Sequence, residues 1–245
     1  MSGHSKWNNI KRKKEKTDGQ KAKIFTKIGR EMAVAIKEGG SSDPNSNSKL
    51  RELIAKAKAN NVPNDNIERI IKKASADDKA NYETVVYEGY GPCGVAVIVE
   101  TLTDNRNRTA GDIRHYFDKY GGNLGTTGCV SFMFTEKGVI IADGEDVDED
   151  KAMEDFMEAG ADDFNFDDED TIEIITAPAD VTAVATAIEE KGYKVISADA
   201  AQVPSTYTSI DDPDTAVKMN RLLEMLEDND DVQNVWHNWE NPTEE

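Results

Sequence analysis

Apolar residues recur at helical spacing through the first third of the chain and then change to alternation. From Gln20 to Glu38, Ile24, Ile28 and Ala35 share one helical face with Met32 and Ile36 beside it, and Gly39-Gly40 follows. That pattern predicts an amphipathic helix closed by glycine. After a polar linker, Ser41 to Ser48, a second helix is expected around Leu50, Leu53, Ile54 and Ala57. A third is expected around Ile67, Ile70, Ile71 and Ala74, after the turn Val62-Pro63-Asn64-Asp65, which also offers an N-cap. Three short helices with one apolar face each can share a small core.

From about residue 82 the period becomes that of strands. Tyr82 to Glu88 and Val95 to Leu102 are rich in β-branched residues and flank Gly89-Tyr-Gly-Pro-Cys-Gly94, so a hairpin or two neighbouring strands are expected. Ala110, Ile113, Phe117 and Tyr120 line a helix that Gly121-Gly122 ends, and Val130 to Phe134 and Val139 to Ala142 read as further strands. Met153, Phe156, Met157 and Gly160 mark the next helix. A strand at Thr171 to Thr176, a helix from about Ala179 to Lys191 and a strand at Tyr193 to Ala198, extending toward Val203, follow. Asp212-Pro213 is a capping residue followed by proline at the first helical position, ahead of the stripe Met219, Leu222, Leu223 and Leu226. Asp228 to Asp231 turn the chain into a final strand, Val232 to Trp236. The interleaving predicts an α+β protein: a helical N-terminal three-helix module plus two split-βαβ, ferredoxin-like α/β modules on mostly antiparallel sheets.

Charge changes this picture of one uniform soluble chain. The 245 residues carry a formal net charge of −19, yet residues 1–79 hold 19 Lys+Arg against 10 Asp+Glu, and the rest is strongly acidic. Residues 143–170 hold fifteen Asp/Glu with Lys151 as the sole cation. Only the basic part can displace counterions from a phosphate backbone, so nucleic acid, if it binds, meets the first module. The richest stretch, Lys6, Trp7, Lys11, Arg12, Lys13, Lys14 and Lys16, joins cations to an aromatic ring and the amides Asn8 and Asn9, the mix that grips phosphates and stacks on an unpaired base. Its structural alternative is a solvated Lys-rich tail ordered by packing of Trp7 and Ile10. Lys21, Lys23, Lys27 and Arg30 continue the cations into the first helix. Arg106 and Arg108, in Thr103 to Thr109, form a second candidate between a strand and a helix; the competing account is helix capping by Asn or Thr with salt bridges to local carboxylates.

Other chemistry finds less support. Asp146, Asp148 and Asp150 resemble the start of a calcium loop, but Lys151 stands where that loop needs glycine and Met157 where it needs a bidentate Glu. His4, His115 and His237 are too scattered for a zinc site. The loop Gly122 to Gly128 lacks the ending of a P-loop and precedes a strand, so a turn-rich connection is the preferred reading, with a hydrolase or transferase using this loop as the alternative. No catalytic residue, metal or cofactor is assigned, and the expectation is a non-enzyme. The most apolar run, Val95 to Val99, is strand-sized, so no membrane span is expected, and no apolar segment of a secretion signal follows the basic start. Cys93 and Cys129 form neither a CxxC pair nor a disulfide framework, which fits a reducing, cytoplasmic compartment.

Gly3-His-Ser-Lys-Trp7, Lys23-Ile-Phe-Thr-Lys27, Tyr87-Glu-Gly-Tyr-Gly-Pro92, Asp104-Asn-Arg-Asn-Arg-Thr109, Gly121-Gly-Asn-Leu-Gly125 and Met225-Leu-Glu-Asp-Asn-Asp-Asp-Val232 together resemble the YebC/PmpR family over nearly the full length. Cys93 stands where that family usually has glycine, and Trp236 where Tyr is common. The resemblance implies that one α/β module is inserted in the other. The expected division is a basic helical domain at 1–79, a central α/β domain at 80–134 and 204–245, and an acidic inserted domain at 135–203. It also implies a DNA-binding transcriptional regulator, or else a ribosome-associated factor that binds ribosomal RNA or tRNA and relieves stalling on proline-rich sequences. The expected partners are DNA, or ribosomal RNA on the ribosome, with protein partners meeting the acidic domains.

Overall fold

A computed structural model describes residues 18–75, 81–166 and 170–242. Three helices come first: α1 (Asp18–Gly39), α2 (Ser48–Ala59) and α3 (Asn64–Ser75). Their apolar stripes meet in one core of Ile28, Met32, Ala35, Ile36, Leu50, Leu53, Ala57, Val62 and Ile67. Asn47 caps α2 by accepting the Leu50 N–H, and its amide donates to the carbonyls of Ala35 and Ser41. One buried side chain thereby starts one helix and ties it to the end of another. A Cβ on Gly39 would lie 2.5 Å from that amide nitrogen, so the glycine that ends α1 also makes room for the cap.

The first sheet comprises β1 (Glu83–Tyr90), β2 (Ala96–Thr103), β3 (Asn123–Leu124) and β8 (Val232–His237), in the order β3-β1-β2-β8 with every pairing antiparallel. β1 and β2 form a hairpin. Its turn holds Cys93 at φ 56 and Gly94 at φ 76, so the thiol residue occupies a left-handed position that glycine adopts without strain. Helices α4 (Arg106–Lys119) and α7 (Pro213–Asp228) cover one face, burying Ile113, Phe117, Met219, Leu222 and Leu226 against Val95, Val97 and Val99. The predicted cap of α7 is in place, with Asp212 accepting the Thr215 N–H at 3.0 Å and Pro213 at the first position. β3 is two residues long and escaped the pattern. A Cβ on Gly89 would meet the Asn123 carbonyl at 2.6 Å, so that pairing requires a glycine in β1.

The second sheet comprises β4 (Phe134–Asp143), β5 (Asp163–Asn165), β6 (Thr171–Thr176) and β7 (Val195–Pro204), in the order β5-β6-β4-β7. With α5 (Glu149–Ala159) and α6 (Val181–Glu190) it forms two split βαβ units: β6 lies between β4 and β5, and β4 lies between β6 and β7. This is the expected ferredoxin-like order. The first sheet has the same layering, two helices on one face, but places its hairpin at the centre. Phe156, Ile140, Ile174 and Ile188 build the core under α5 and α6. The faces without helices are joined through Trp236, which packs against Ala96, Ile98 and Phe134 on one side and against Val139, Ile141 and Ala201 on the other.

One expected strand is absent. Of Val130 to Phe134 only Phe134 is in a strand: Ser131–Met133 form a 3-10 turn and β4 begins at Phe134. The N–H groups of Val130 and Ser131 donate to the carboxylate of Glu88, which leaves them no part in a strand ladder.

Candidate nucleic-acid interface

Of the predicted contact residues, Lys6, Trp7, Lys11, Arg12, Lys13, Lys14 and Lys16 lie outside the described residues, and Lys21 is placed on α1 by its backbone. Lys23, Lys27 and Arg30 stand at i, i+4 and i+7, hence on one stripe of α1. That stripe faces the C-terminal end of α7. The Lys23 ammonium lies 2.6 Å from the Asp228 carboxylate, Lys27 donates to the Glu227 carbonyl at 2.9 Å, and Arg30 donates to the Asp230 carbonyl and the Asp231 carboxylate, each at 2.7 Å. Cations at a helix C-terminus also meet the negative end of the macrodipole. These three predicted phosphate contacts are therefore held by the protein's own anions and carbonyls.

Asp231 is the centre of the seam. Its side chain is 5% exposed and accepts from Arg30 on one oxygen, and from Arg108 and Thr109 at 2.7 Å on the other, with Thr103 at 3.3 Å. Burial opposes its ionisation, but Arg108, Thr109 and Arg30 outweigh that and hold the carboxyl below the usual aspartate range. Arg108 in turn is held protonated by Asp231 and Asp104. The α4 loop thus follows its structural alternative: Asn105 caps the helix by accepting the Arg108 N–H at 3.1 Å, and Arg108 pairs with carboxylates. Arg106 remains exposed, with no carboxylate within ion-pair distance among the described residues.

Cations the motif reading passed over are exposed on the other two helices of the basic module. Lys49, Arg51 and Lys58 lie on α2, off the stripe of the buried Leu50, Leu53 and Ala57, and Arg69, Lys72 and Lys73 lie on α3. The signal for them was in the sequence, because each falls off the apolar stripe of its helix. Lys56, on α2 as well, approaches the carboxylates of Glu31 and Asp199, both at 3.7 Å.

The glycine-rich loop has an internal anion. Glu88, 4% exposed on β1, accepts the N–H groups of Gly128, Val130 and Ser131 at 2.8 to 2.9 Å. Burial pushes its carboxyl up, and these backbone donors more than reverse it, leaving it below the ordinary glutamate range. Within the loop Gly122 to Gly128 this carboxylate takes the Gly128 N–H, while the Gly125 and Gly122 N–H groups donate to the backbone carbonyls of Glu88 and Phe117. A groove of about 480 Å³ lies elsewhere, in the acidic module, lined by Asp143, Asp146, Asp148, Lys151, Lys191 and Tyr193 among others. Among the described residues no helix is long and apolar enough to cross a membrane.

Comparison with known proteins matches the whole of this architecture. Residues 5–77 match the TACO1/YebC protein N-terminal domain, and residues 82–239 match the TACO1/YebC second and third domain. A protein of Acetivibrio thermocellus named "Probable transcriptional regulatory protein" is 60% identical over 241 residues, covering 98% of this chain and 99% of that one. One of the same name from Ruminiclostridium cellulolyticum is 57% identical over 246 residues, covering 100% of this chain and 98% of that one. The crystal structure of a conserved hypothetical protein from Aquifex aeolicus superposes with a TM-score of 0.82 at 42% identity, covering 94% of each chain. Two adjoining family models, relatives that align from end to end and a solved structure of the same shape lead to one statement: this chain belongs to the TACO1/YebC family.

Proposed function

We propose that this protein is a non-enzymatic, nucleic-acid-binding regulator of gene expression acting in the cytoplasm. In this reading residues 1–79 are the gripping domain, residues 80–134 with 204–245 the platform to which it is fastened, and residues 135–203 an acidic insertion available to protein partners. The observation that carries it is the segregation of charge: cations cluster in the first module, and those on α2 and α3 remain exposed. The relatives' name, "Probable transcriptional regulatory protein", agrees with the class. Because Lys23, Lys27, Arg30 and Arg108 are engaged within the fold, phosphate contact falls to Lys6, Lys11, Arg12, Lys13, Lys14 and Lys16 and to the exposed faces of α2 and α3. Trp7 supplies a ring for stacking.

The leading target is DNA. Charge reversal at Lys11, Arg12, Lys13 and Lys14 tests the reading. Removing four phosphate contacts should reduce the slope of log Kobs against log salt by about 3 to 4 on duplex DNA and by about 3 on a single strand. Circular dichroism should show the fold unchanged. A folded variant that binds with the parent's affinity and salt slope sinks the assignment. The same titration on ribosomal RNA and promoter DNA, with co-sedimentation on ribosomes, separates the transcriptional reading from the translational one.

A further inference from the structure

Phe132 is the most exposed large apolar side chain among the described residues, at 75%. It sits on the 3-10 turn Ser131–Met133, between Val130 and Phe134, which are both buried. The turn is held from several sides. Glu88 accepts the N–H groups of Gly128, Val130 and Ser131, Tyr90 donates its hydroxyl to the Cys129 carbonyl at 3.0 Å, and Ser205 donates its N–H and hydroxyl to the Met133 carbonyl at 2.8 and 3.0 Å. A buried carboxylate with three backbone donors is a rigid pedestal, and what it holds out to solvent is a phenyl ring.

The surroundings are chemically distinct. The chain contains no charged residue from 120 to 135 or from 200 to 210, although 31% of all residues are charged. These two neutral segments meet where Phe134 pairs with Pro204 and Ser205 bonds to Met133. Thr126, Thr127, Ser131, Ser205 and Thr206 are exposed there. On a molecule of net charge −19, these two segments contribute no side-chain charge of their own to repel a strand.

We infer that Phe132 is a stacking platform for an unpaired base of a single-stranded nucleic acid, with the hydroxyls around it available to the base edges. The inference rests on the nucleic-acid reading above and adds a second contact, remote in sequence from the basic arm. A base needs one ring face and no cation. A protein partner needs more: about 800 Å² per side around an apolar centre. Among the described residues the other exposed large apolar side chains, Val86, Met157, Ile196 and Val217, belong to four different elements, and Ile196 stands toward the opposite end of the β4–β7 ladder, so they do not assemble such a centre with Phe132.

The test measures binding of the full chain to a short single-stranded oligonucleotide and to the duplex of the same sequence. Phe132→Ala should weaken single-strand binding about 5- to 150-fold and leave duplex binding unchanged, and Phe132→Tyr should restore it. Because the ring is exposed, both variants should melt with the parent. If Phe132→Ala binds the single strand like the parent while charge reversal in the arm abolishes binding, the platform is wrong and the nucleic-acid reading stands. Equal loss on duplex and single strand also overturns it, as does a loss of self-association in Phe132→Ala with oligonucleotide binding intact, which would seat a second copy on the ring. Failure of the parent chain to bind either probe removes both readings together.

Discussion

Asp231 and Glu88 are two buried carboxylates of nearly equal exposure, both held ionised below their ordinary range, and they are held in opposite ways. Asp231 is met by side chains from different parts of the molecule, Arg30 from the helical module and Arg108 and Thr109 from α4. Glu88 is met by backbone N–H groups of a loop in its own sheet region. Side-chain partners can be withdrawn one at a time and can turn to water. Backbone donors cannot leave without rebuilding the loop. The first arrangement joins modules; the second fixes the shape of one.

Acid addresses both carboxylates at once and should have the largest effect. Their stabilisation is fully present above the unfolded values, about 4 for Asp and Glu, and is lost as pH falls through the lower folded values. Urea midpoints should be flat from about pH 7 to 5 and fall below about pH 4. The fall should be shallower in a Glu88→Gln, Asp231→Asn double variant, and an unaltered slope there would remove these two groups from the account.

Glu88→Ala separates the two sites. It leaves three backbone donors without their acceptor and should cost about 3 kcal/mol in urea unfolding. The loss should be insensitive to salt, since no counter-charge is involved. Arg30→Ala is milder, about 1 to 2 kcal/mol, because Asp231 keeps Arg108 and both threonines. Its signature is local: amide exchange should quicken in α1 while β1 and β2 keep their protection. If α1 exchanges as in the parent, the seam is not what fastens the helical module.

Element types were largely legible in the sequence, for a physical reason. The stripes of α1, α2 and α3, the cap Asp212-Pro213 and the β-branched runs each report a local preference that the tertiary structure agrees with. The pattern misled at Val130 to Phe134, where apolar content looked like a strand but a distant glutamate had claimed the backbone donors. It missed β3 and β5, two and three residues long, which have no period to detect. The candidate site divided in the same way. Arg108 followed the capping and ion-pair alternative visible from Asn105 and Asp104, but its second partner, Asp231, lies 123 residues away. Nothing local to Lys23, Lys27 and Arg30 announces that their stripe faces the end of α7.

By itself the sequence determined the kinds of elements, the family and the segregation of a basic start from an acidic body, because these depend on residue type and short-range spacing. Only the tertiary structure decided that Lys23, Lys27, Arg30 and Arg108 are engaged within the fold. Ion pairing is a matter of a few ångströms between side chains far apart in the chain, and an arginine looks the same in sequence whether it waits for a phosphate or already holds Asp231.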